Sequence, residues 1–205
     1  MSEAGAGAKG GRSERTRAAL VTAASGIFAE RRFLDARIND ITDAAGVSVG
    51  TFYNHFESKE TLFAEVAAAA FAELRGALEG AAGQGRDDSW QRVEALIGAY
   101  LEELAGKAAL WAAVEEAALA VPELRGLFWE GRRSCVEAVA RGLGGRPGKK
   151  APAEGIGPEA AAFALAAMAE QCGAQWFLFE PTRSVDDGVD RLTRIWARVL
   201  GVARG

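Results

Sequence analysis

The segment from Ser48 to His55 has residue types and a spacing that suit the reading of DNA bases. Drawn as a helix with about 100° per residue, it places Val49, Phe52 and Phe56 on one side. The opposite side holds small or hydrogen-bonding residues, namely Ser48, Gly50, Thr51, Asn54 and His55, with Tyr53 on the flank. Short donors and acceptors fit base edges in a major groove, whereas a merely solvated face is expected to carry Lys and Glu. We therefore predict a recognition helix in preference to an ordinary helical hairpin.

A helix and a tight turn precede this face and are needed to hold it in place. The pattern predicts a helix over residues 38–45 that Gly46 ends, because glycine has no Cβ to clash in the left-handed conformation of a helix C-terminus. Ser48 then suits the N-cap of the next helix, where its hydroxyl accepts a hydrogen bond from an otherwise unpaired amide. Together these residues predict a helix-turn-helix.

The connection into the following helix offers a site for backbone phosphates. Ser58 is placed to cap that helix and Lys59 lies in its first turn, so free amides and an ammonium occur together. We expect Asn54 and Thr51 to contact bases and Gly50 to allow close approach of the backbone. The residues expected to hold phosphates are Arg37, Tyr53, His55 and Lys59, and Asn39 is included in the interface.

The stretch AGVSVGTFYNHFESKETLF, residues 45–63, resembles the DNA-binding motif of the TetR family of one-component transcriptional repressors. The resemblance is specific over residues 14–65 and diffuse beyond them. Arg32 stands where the family commonly has a glycine that ends helix 1, and Arg37 where it commonly has a Ser or Thr cap. The resemblance implies an all-α repressor that binds an operator and is released when a small-molecule effector moves the fourth helix.

Other function classes find little support among the residues. The one histidine is His55, and the chain lacks HExxH, CxxC and Walker motifs. A hydrolase that uses only carboxylates could employ Glu115, Glu116 and Glu170, but their spacing does not select it. A metal sensor needs more His and Cys than this chain has, so we expect no metal and no cofactor. A helical adaptor that binds only protein remains a third class, distinguished by having no salt-dependent affinity for a duplex.

Composition predicts a cytoplasmic protein with a substantial core. Of the 205 residues, 49% are hydrophobic and 25% charged, which favours a folded chain. The chain has no run of about 18 apolar residues, so no membrane span is predicted. Its N-terminus has no apolar segment typical of a signal peptide. Cys135 and Cys172 are far apart in the chain, which fits a reducing compartment better than a disulfide framework.

The net charge of the chain argues mildly against DNA binding, but the positions of its basic residues do not. The net charge is −4, while residues 1–60 hold eight basic and eight acidic residues. A group of basic residues lies near the start of the chain. A flexible arm there could reach the DNA backbone or minor groove, or it could simply aid solubility. The group consists of Lys9, Arg12, Arg15 and Arg17.

Apolar periodicity predicts a succession of helices without a convincing strand. Ser13 is the expected cap of the first helix, Pro122 opens the seventh, Pro158 the eighth, and Ser184 caps the ninth. We divide the chain into a disordered arm over 1–12, a helix-turn-helix domain over 13–58, and a helical effector-binding and dimerisation domain over 59–205.

The eighth predicted helix is apolar nearly all round, and such a helix must be covered on every side. A second subunit would provide that cover, since two-fold dimers are common and such a dimer reads two half-sites of a palindromic operator. The alternative is a monomer with this helix at its centre. The residues assigned to the dimer interface are Leu165, Cys172, Trp176, Leu192, Ile195, Trp196 and Val199.

An effector pocket is expected where bulky apolar residues occur with a few polar ones, although core packing could also account for each aromatic residue. Arg132 could pair with Glu115 or Glu116, or with an anionic ligand. The two glutamates could instead be solvated or bind a cationic ligand. The residues assigned to the pocket are Trp111, Glu115, Phe128, Trp129, Arg132, Met168, Gln171 and Gln175. Which side of the eighth helix lines the pocket and which the dimer interface stays open.

Overall fold

A computed structural model describes residues 4–83, 88–143, 157–179, 184–202 and 204, and the side chains from residue 11 onward except that of Pro158. Within these ranges the chain is all-α, as predicted. The helices are α1 (Ala4–Asp35), α2 (Ile38–Ala45), α3 (Val49–Tyr53), α4 (Lys59–Gly83), α5 (Ser89–Gly106), α6 (Ala108–Ala120), α7 (Pro122–Leu143), α8 (Pro158–Phe179) and α9 (Val185–Val199). Among the described residues, no helix combines the length and the apolar character needed to cross a membrane.

The chain divides into two compact units, which differ from the predicted domains in where α6 belongs. The first unit comprises residues 1–69 and 109–128, and the second comprises residues 70–108 and 129–205. Both α4 and α7 contribute to each unit. The first unit therefore adds residues from α6 and the start of α7 to the predicted helix-turn-helix helices.

Aromatic side chains form the centre of the first unit. The Phe63 ring of α4 stands edge-on to Phe28 and Phe33 of α1, with centroids 4.8 and 4.7 Å apart. Leu20 of α1 and Ile41 of α2 are completely buried in the same core. Edge-to-face aromatic pairs add to the stabilisation from burial alone, so α1, α2 and α4 form a firm base for α3.

Helix α1 differs from its prediction at its start. It begins at Ala4, so Ser13 lies inside the helix and the predicted disordered arm is helical from residue 4. Its regular course is broken at Arg32, whose φ of 68° and ψ of 169° lie in a region that normally admits only glycine. Arg32 thus occupies the position where the family resemblance led us to expect glycine, with a glycine-like backbone conformation. On α6, Glu116 accepts a hydrogen bond from the Leu34 amide at 3.1 Å, just after this break.

In the second unit, α5 packs against α8 and α9. Close approach depends on glycines that face large side chains. A Cβ added at Gly131 would lie 2.4 Å from the Phe71 ring, and one at Gly173 would lie 2.6 Å from Leu104. The Ser184 hydroxyl accepts a hydrogen bond from the Asp187 amide at 3.1 Å, which confirms the predicted cap of α9.

Candidate nucleic-acid interface

The turn between α2 and α3 has the predicted geometry. Gly46 adopts a left-handed conformation with φ 67° and ψ 34°, and its amide donates to Asp43 O at 3.2 Å. The Val47 amide donates to Thr42 O at 3.0 Å, which completes the pairing at the end of α2. Ser48 then accepts a hydrogen bond from the Thr51 amide at 3.1 Å and caps α3. The helix-turn-helix is therefore confirmed.

One side of α3 is anchored and the other is open to solvent. Phe52 is completely buried and Phe56, just beyond the helix, is nearly so. The predicted polar face consists of the exposed residues Ser48, Gly50, Tyr53 and Asn54 and the half-buried Thr51 and His55. Val49, which is expected on the buried side, is 38% exposed at the first position of α3.

Gly50 has no structural reason to lack a side chain. Its φ is not positive, and a Cβ built there would meet only the Ser48 hydroxyl, at 3.8 Å. Glycine inside a helix costs about 1 kcal/mol relative to alanine. An open, flat patch at the start of α3 lets another surface approach the backbone closely.

Arg17 secures the end of the α3 segment to α1. Its guanidinium donates to the His55 carbonyl at 2.9 Å, lies 4.3 Å from the centre of the Phe56 ring and pairs with Glu65. The sequence groups Arg17 with the cations of the predicted N-terminal arm, where charge alone suggests a DNA contact. The structure instead uses it to hold the polypeptide that follows α3.

At the start of α2, Arg37 is exposed and makes no capping hydrogen bond through its side chain. Asp40 supplies the cap by accepting a hydrogen bond from the Arg37 amide at 3.1 Å, and it also pairs with Arg31 at 2.9 Å. Asn39 is exposed beside them. Both Arg37 and Asn39 therefore remain available to a partner.

Lys59 has a different position from the one we predicted. Its ammonium donates to Phe33 O at 2.8 Å and to Ala36 O at 3.0 Å, and lies 4.4 Å from the centre of the Phe33 ring. The carbonyl groups at the end of α1 attract a cation because the helix dipole places partial negative charge there. The prediction that the Lys59 side chain holds a phosphate is thus corrected. In the structure this side chain stabilises the junction of α1 and α2.

The residues predicted for the dimer interface separate into two groups. Leu165, Leu192 and Trp196 are buried within a single protomer, Trp196 to 3% exposure, so they are unavailable to a second chain in this conformation. Periodicity places them on apolar sides of α8 and α9, and both helices pack against α5. Ile195 and Val199 are exposed, and Cys172 and Trp176 are half-buried.

The residues predicted for the effector pocket are not all interior. Glu115, Trp129, Gln171 and Gln175 are exposed, whereas Trp111, Phe128, Arg132 and Met168 are half-buried. Trp111, Glu115 and Phe128 belong to the first unit and the other five to the second. Glu116 accepts a hydrogen bond at the end of α1, and Arg132 pairs with Glu170. Arg132 and Glu116 therefore do not form the ion pair that the sequence suggests.

A buried polar cluster lies instead inside the second unit. Arg132 of α7 pairs with Glu170 of α8 at 2.5 Å, and Tyr100 of α5 donates its hydroxyl to the same carboxylate at 2.7 Å. Burial, reinforced by the adjacent Glu170 carboxylate, raises the pKa of Tyr100 well above its usual value, so the phenol stays protonated. Burial likewise raises the pKa of the nearby Cys135 thiol to about 12, which makes it an unreactive core residue.

A groove of about 700 Å³ also lies in the second unit, between α4, α5 and α9. Its lining combines several Ala and Gly residues with the acidic residues Glu94, Glu102, Glu103 and Asp186. None of the residues predicted for the effector pocket lines it. The described residues contain no cluster of three or more His, Cys, Asp or Glu that could hold a metal ion.

Sequence comparison identifies the N-terminal unit. Residues 20–66 match the family model for bacterial regulatory proteins of the tetR family. The HTH-type transcriptional repressor DhaR of Mycobacterium sp. strain GP1 is 33% identical over 91 residues, which are 44% of this chain and 46% of that protein. The HTH-type transcriptional repressor KstR2 of Rhodococcus jostii RHA1 is 37% identical over 87 residues, 40% of this chain and 39% of that protein. The alignments therefore span less than half of either repressor.

Solved structures extend the likeness of fold over nearly the whole chain. A transcriptional regulator from Rhodococcus sp. RHA1 has a TM-score of 0.76 at 19% identity and covers 92% of this chain and 99% of its own. The regulator FadR from Bacillus subtilis, in complex with stearoyl-CoA, has a TM-score of 0.73 at 18% identity, covering 90% and 98%. Residues 20–66, which include the turn formed by Gly46 and Ser48, thus match the tetR family of bacterial regulatory proteins, and the chain shares the fold of these solved structures.

Proposed function

We propose that the chain is a DNA-binding transcriptional repressor that a small hydrophobic or amphipathic effector releases from its operator. The observation that carries the proposal is the solvent-exposed polar face of α3, with Asn54 and Thr51 beside the open backbone at Gly50. A face of this kind fits a major groove, where asparagine can read adenine through two hydrogen bonds. The curated relatives that share this segment are named repressors.

The proposed partner is a palindromic duplex bound by two copies of the chain. In the second unit, α9 exposes Ile195 and Val199, with Ile195 at 49% exposure. These residues replace Leu192 and Trp196 in the proposed interface, because large exposed apolar side chains favour association. A two-fold dimer would place its recognition helices about 34–36 Å apart, one turn of duplex. A protein bound to chromosomal DNA works in the cytoplasm.

The proposed effector would bind the helical second unit. The complex of FadR with stearoyl-CoA indicates that a protein of this fold can bind a ligand with a long apolar chain. In such a regulator the ligand acts only through different affinities for the DNA-bound and released conformations.

The decisive experiment is fluorescence anisotropy with a labelled duplex taken from upstream of the protein's own gene, at several salt concentrations. The wild type should bind this duplex more tightly than a scrambled duplex of equal length. Asn54→Ala should lose about 1–3 kcal/mol of binding free energy and relax the preference at one base pair in each half-site. Glu130→Ala, an exposed change on α7, is the matched control and should bind like the wild type.

Two outcomes would contradict the proposal. Equal affinity for the operator fragment and the scrambled duplex would argue against sequence-specific binding. Asn54→Ala binding with unchanged affinity and preference would move the reading face away from α3. The dimer is tested separately by sedimentation of Ile195→Glu, which should shift the chain towards monomer and weaken operator binding.

A further inference from the structure

We infer that Arg132 anchors an uncharged effector through a carbonyl oxygen, and this inference deepens the proposed function and rests on it. The guanidinium belongs to the buried cluster of Arg132, Glu170 and Tyr100 within the second unit. Of its donors, one terminal nitrogen is bonded to Glu170 Oε2. The Nε atom is buried and has no hydrogen-bond acceptor.

A buried donor without an acceptor costs free energy, and native proteins rarely leave one unsatisfied. Glu170 Oε2 receives the terminal nitrogen of Arg132 and Oε1 receives the Tyr100 hydroxyl, and neither oxygen forms a hydrogen bond with Nε. The guanidinium also lies 5.5 Å from the centre of the half-exposed Phe163 ring. Arg132 therefore has one oxygen acceptor missing, next to an aromatic surface that an apolar molecule can contact.

The charge of the cluster decides what kind of acceptor is missing. Arg132 and Glu170 already neutralise each other, and Tyr100 stays protonated. A ligand carboxylate would bring a second negative charge beside Glu170, where the Arg132 and Glu170 side chains are only 18% and 21% exposed, which is unfavourable. A ketone, ester or amide oxygen accepts the same hydrogen bond without adding charge. An ammonium ligand would face Arg132 and offer no acceptor.

The test compares three ten-carbon probes on the full chain, namely 2-decanone, decanoate and decylammonium, by titration of tryptophan fluorescence. The wild type should bind 2-decanone about tenfold more tightly than either ion, since a hydrogen bond from a charged donor supports a difference of that size. Arg132→Lys keeps a cation for Glu170 but has no Nε, so it should lose that tenfold preference. Arg133→Lys, an exposed neighbour on α7, is the matched control and should keep it.

Glu170→Gln should abolish the ranking of 2-decanone over decanoate. Without the carboxylate the guanidinium lacks a counter-charge, so decanoate should gain about tenfold in affinity and bind about as tightly as 2-decanone. Should this variant lose its helical circular dichroism, the wild-type ranking and Arg132→Lys still decide the question.

Several outcomes overturn the inference. These are tighter binding of decanoate than of 2-decanone by the wild type, no binding of any probe, or the same loss in Arg132→Lys and Arg133→Lys. Operator binding without probe is measured on the same samples. A wild type that binds its operator but shows no preference for 2-decanone refutes the role of Arg132 alone, whereas a wild type that ignores the operator refutes the proposed function.

Discussion

Replacing Lys59 with methionine removes the ammonium that joins the start of α4 to the end of α1 and keeps most of the apolar stem. The wild-type ammonium donates to Phe33 O at 2.8 Å and Ala36 O at 3.0 Å from a half-buried position. Hydrogen bonds from a charged donor contribute about 1.5–3 kcal/mol each when buried, and water can replace part of that here. We expect Lys59→Met to lower the free energy of unfolding by about 2 kcal/mol.

Urea denaturation followed by circular dichroism measures this loss. With a slope of about 2 kcal/mol per molar urea, the midpoint should fall by about 1 M without a change in slope. Binding to the operator should keep its dependence on salt, because the ammonium has protein carbonyls as partners rather than phosphates. A lysine that held one phosphate in each half-site would instead flatten the slope of log K against log salt by about 1.8 on removal.

Arg37→Met is the control for both measurements. Its exposed side chain makes no capping hydrogen bond, so stability should change little while the salt slope flattens. The reasoning on Lys59 fails if Lys59→Met leaves the urea midpoint in place and flattens the salt slope as Arg37→Met does.

Three further predictions concern backbone, packing and titration. Arg32→Gly should raise thermal stability by about 1–2 kcal/mol by relieving a glycine-only conformation, whereas Glu30→Gly in the regular part of α1 should cost about 1 kcal/mol; a destabilised Arg32→Gly would contradict the strain. Gly131→Ala should lower the unfolding midpoint because a Cβ would lie 2.4 Å from Phe71, while Gly126→Ala on the same helix, with open space around it, should not; equal midpoints would refute this packing. Because the Cys135 pKa is raised from 9.0 to about 12, its contribution to stability is complete below pH 9 and is lost as pH rises towards 12. Urea curves of Cys135→Ala at pH 8 to 11 should therefore decline less steeply with pH than those of the wild type, and parallel declines would contradict the assignment.

The helix-turn-helix could be predicted because its determinants are local in the chain. Gly46 ends α2 through its own backbone conformation, and Ser48 caps α3 through an amide three residues away. Such signals need no knowledge of distant residues. The same holds for Ser184 at the start of α9.

The partners of long side chains could not be predicted in this way. The place of Lys59 in the first turn of α4 predicts a contact with phosphate. Its ammonium instead donates to carbonyls that lie 23 and 26 residues earlier in the chain. Helical periodicity placed Trp196 on an apolar side of α9 without showing that α5 covers that side. A sequence pattern predicts the direction in which a side chain projects, whereas the residues that it contacts depend on the tertiary fold.

The positions of the cations also predict how strongly salt controls DNA binding. Among the described side chains of residues 11–69, Arg17, Arg31 and Arg32 lie near carboxylates and Lys59 contacts carbonyls. Arg12, Arg15 and Arg37 are exposed and pair with no carboxylate in the part of the chain that the structure describes, which gives six such cations in a dimer. If each neutralises one phosphate, the slope of log K against log salt should be about −5. Anisotropy titrations between low and physiological salt measure it, and a slope steeper than about −8 would mean that cations now held inside the protein turn outward on DNA.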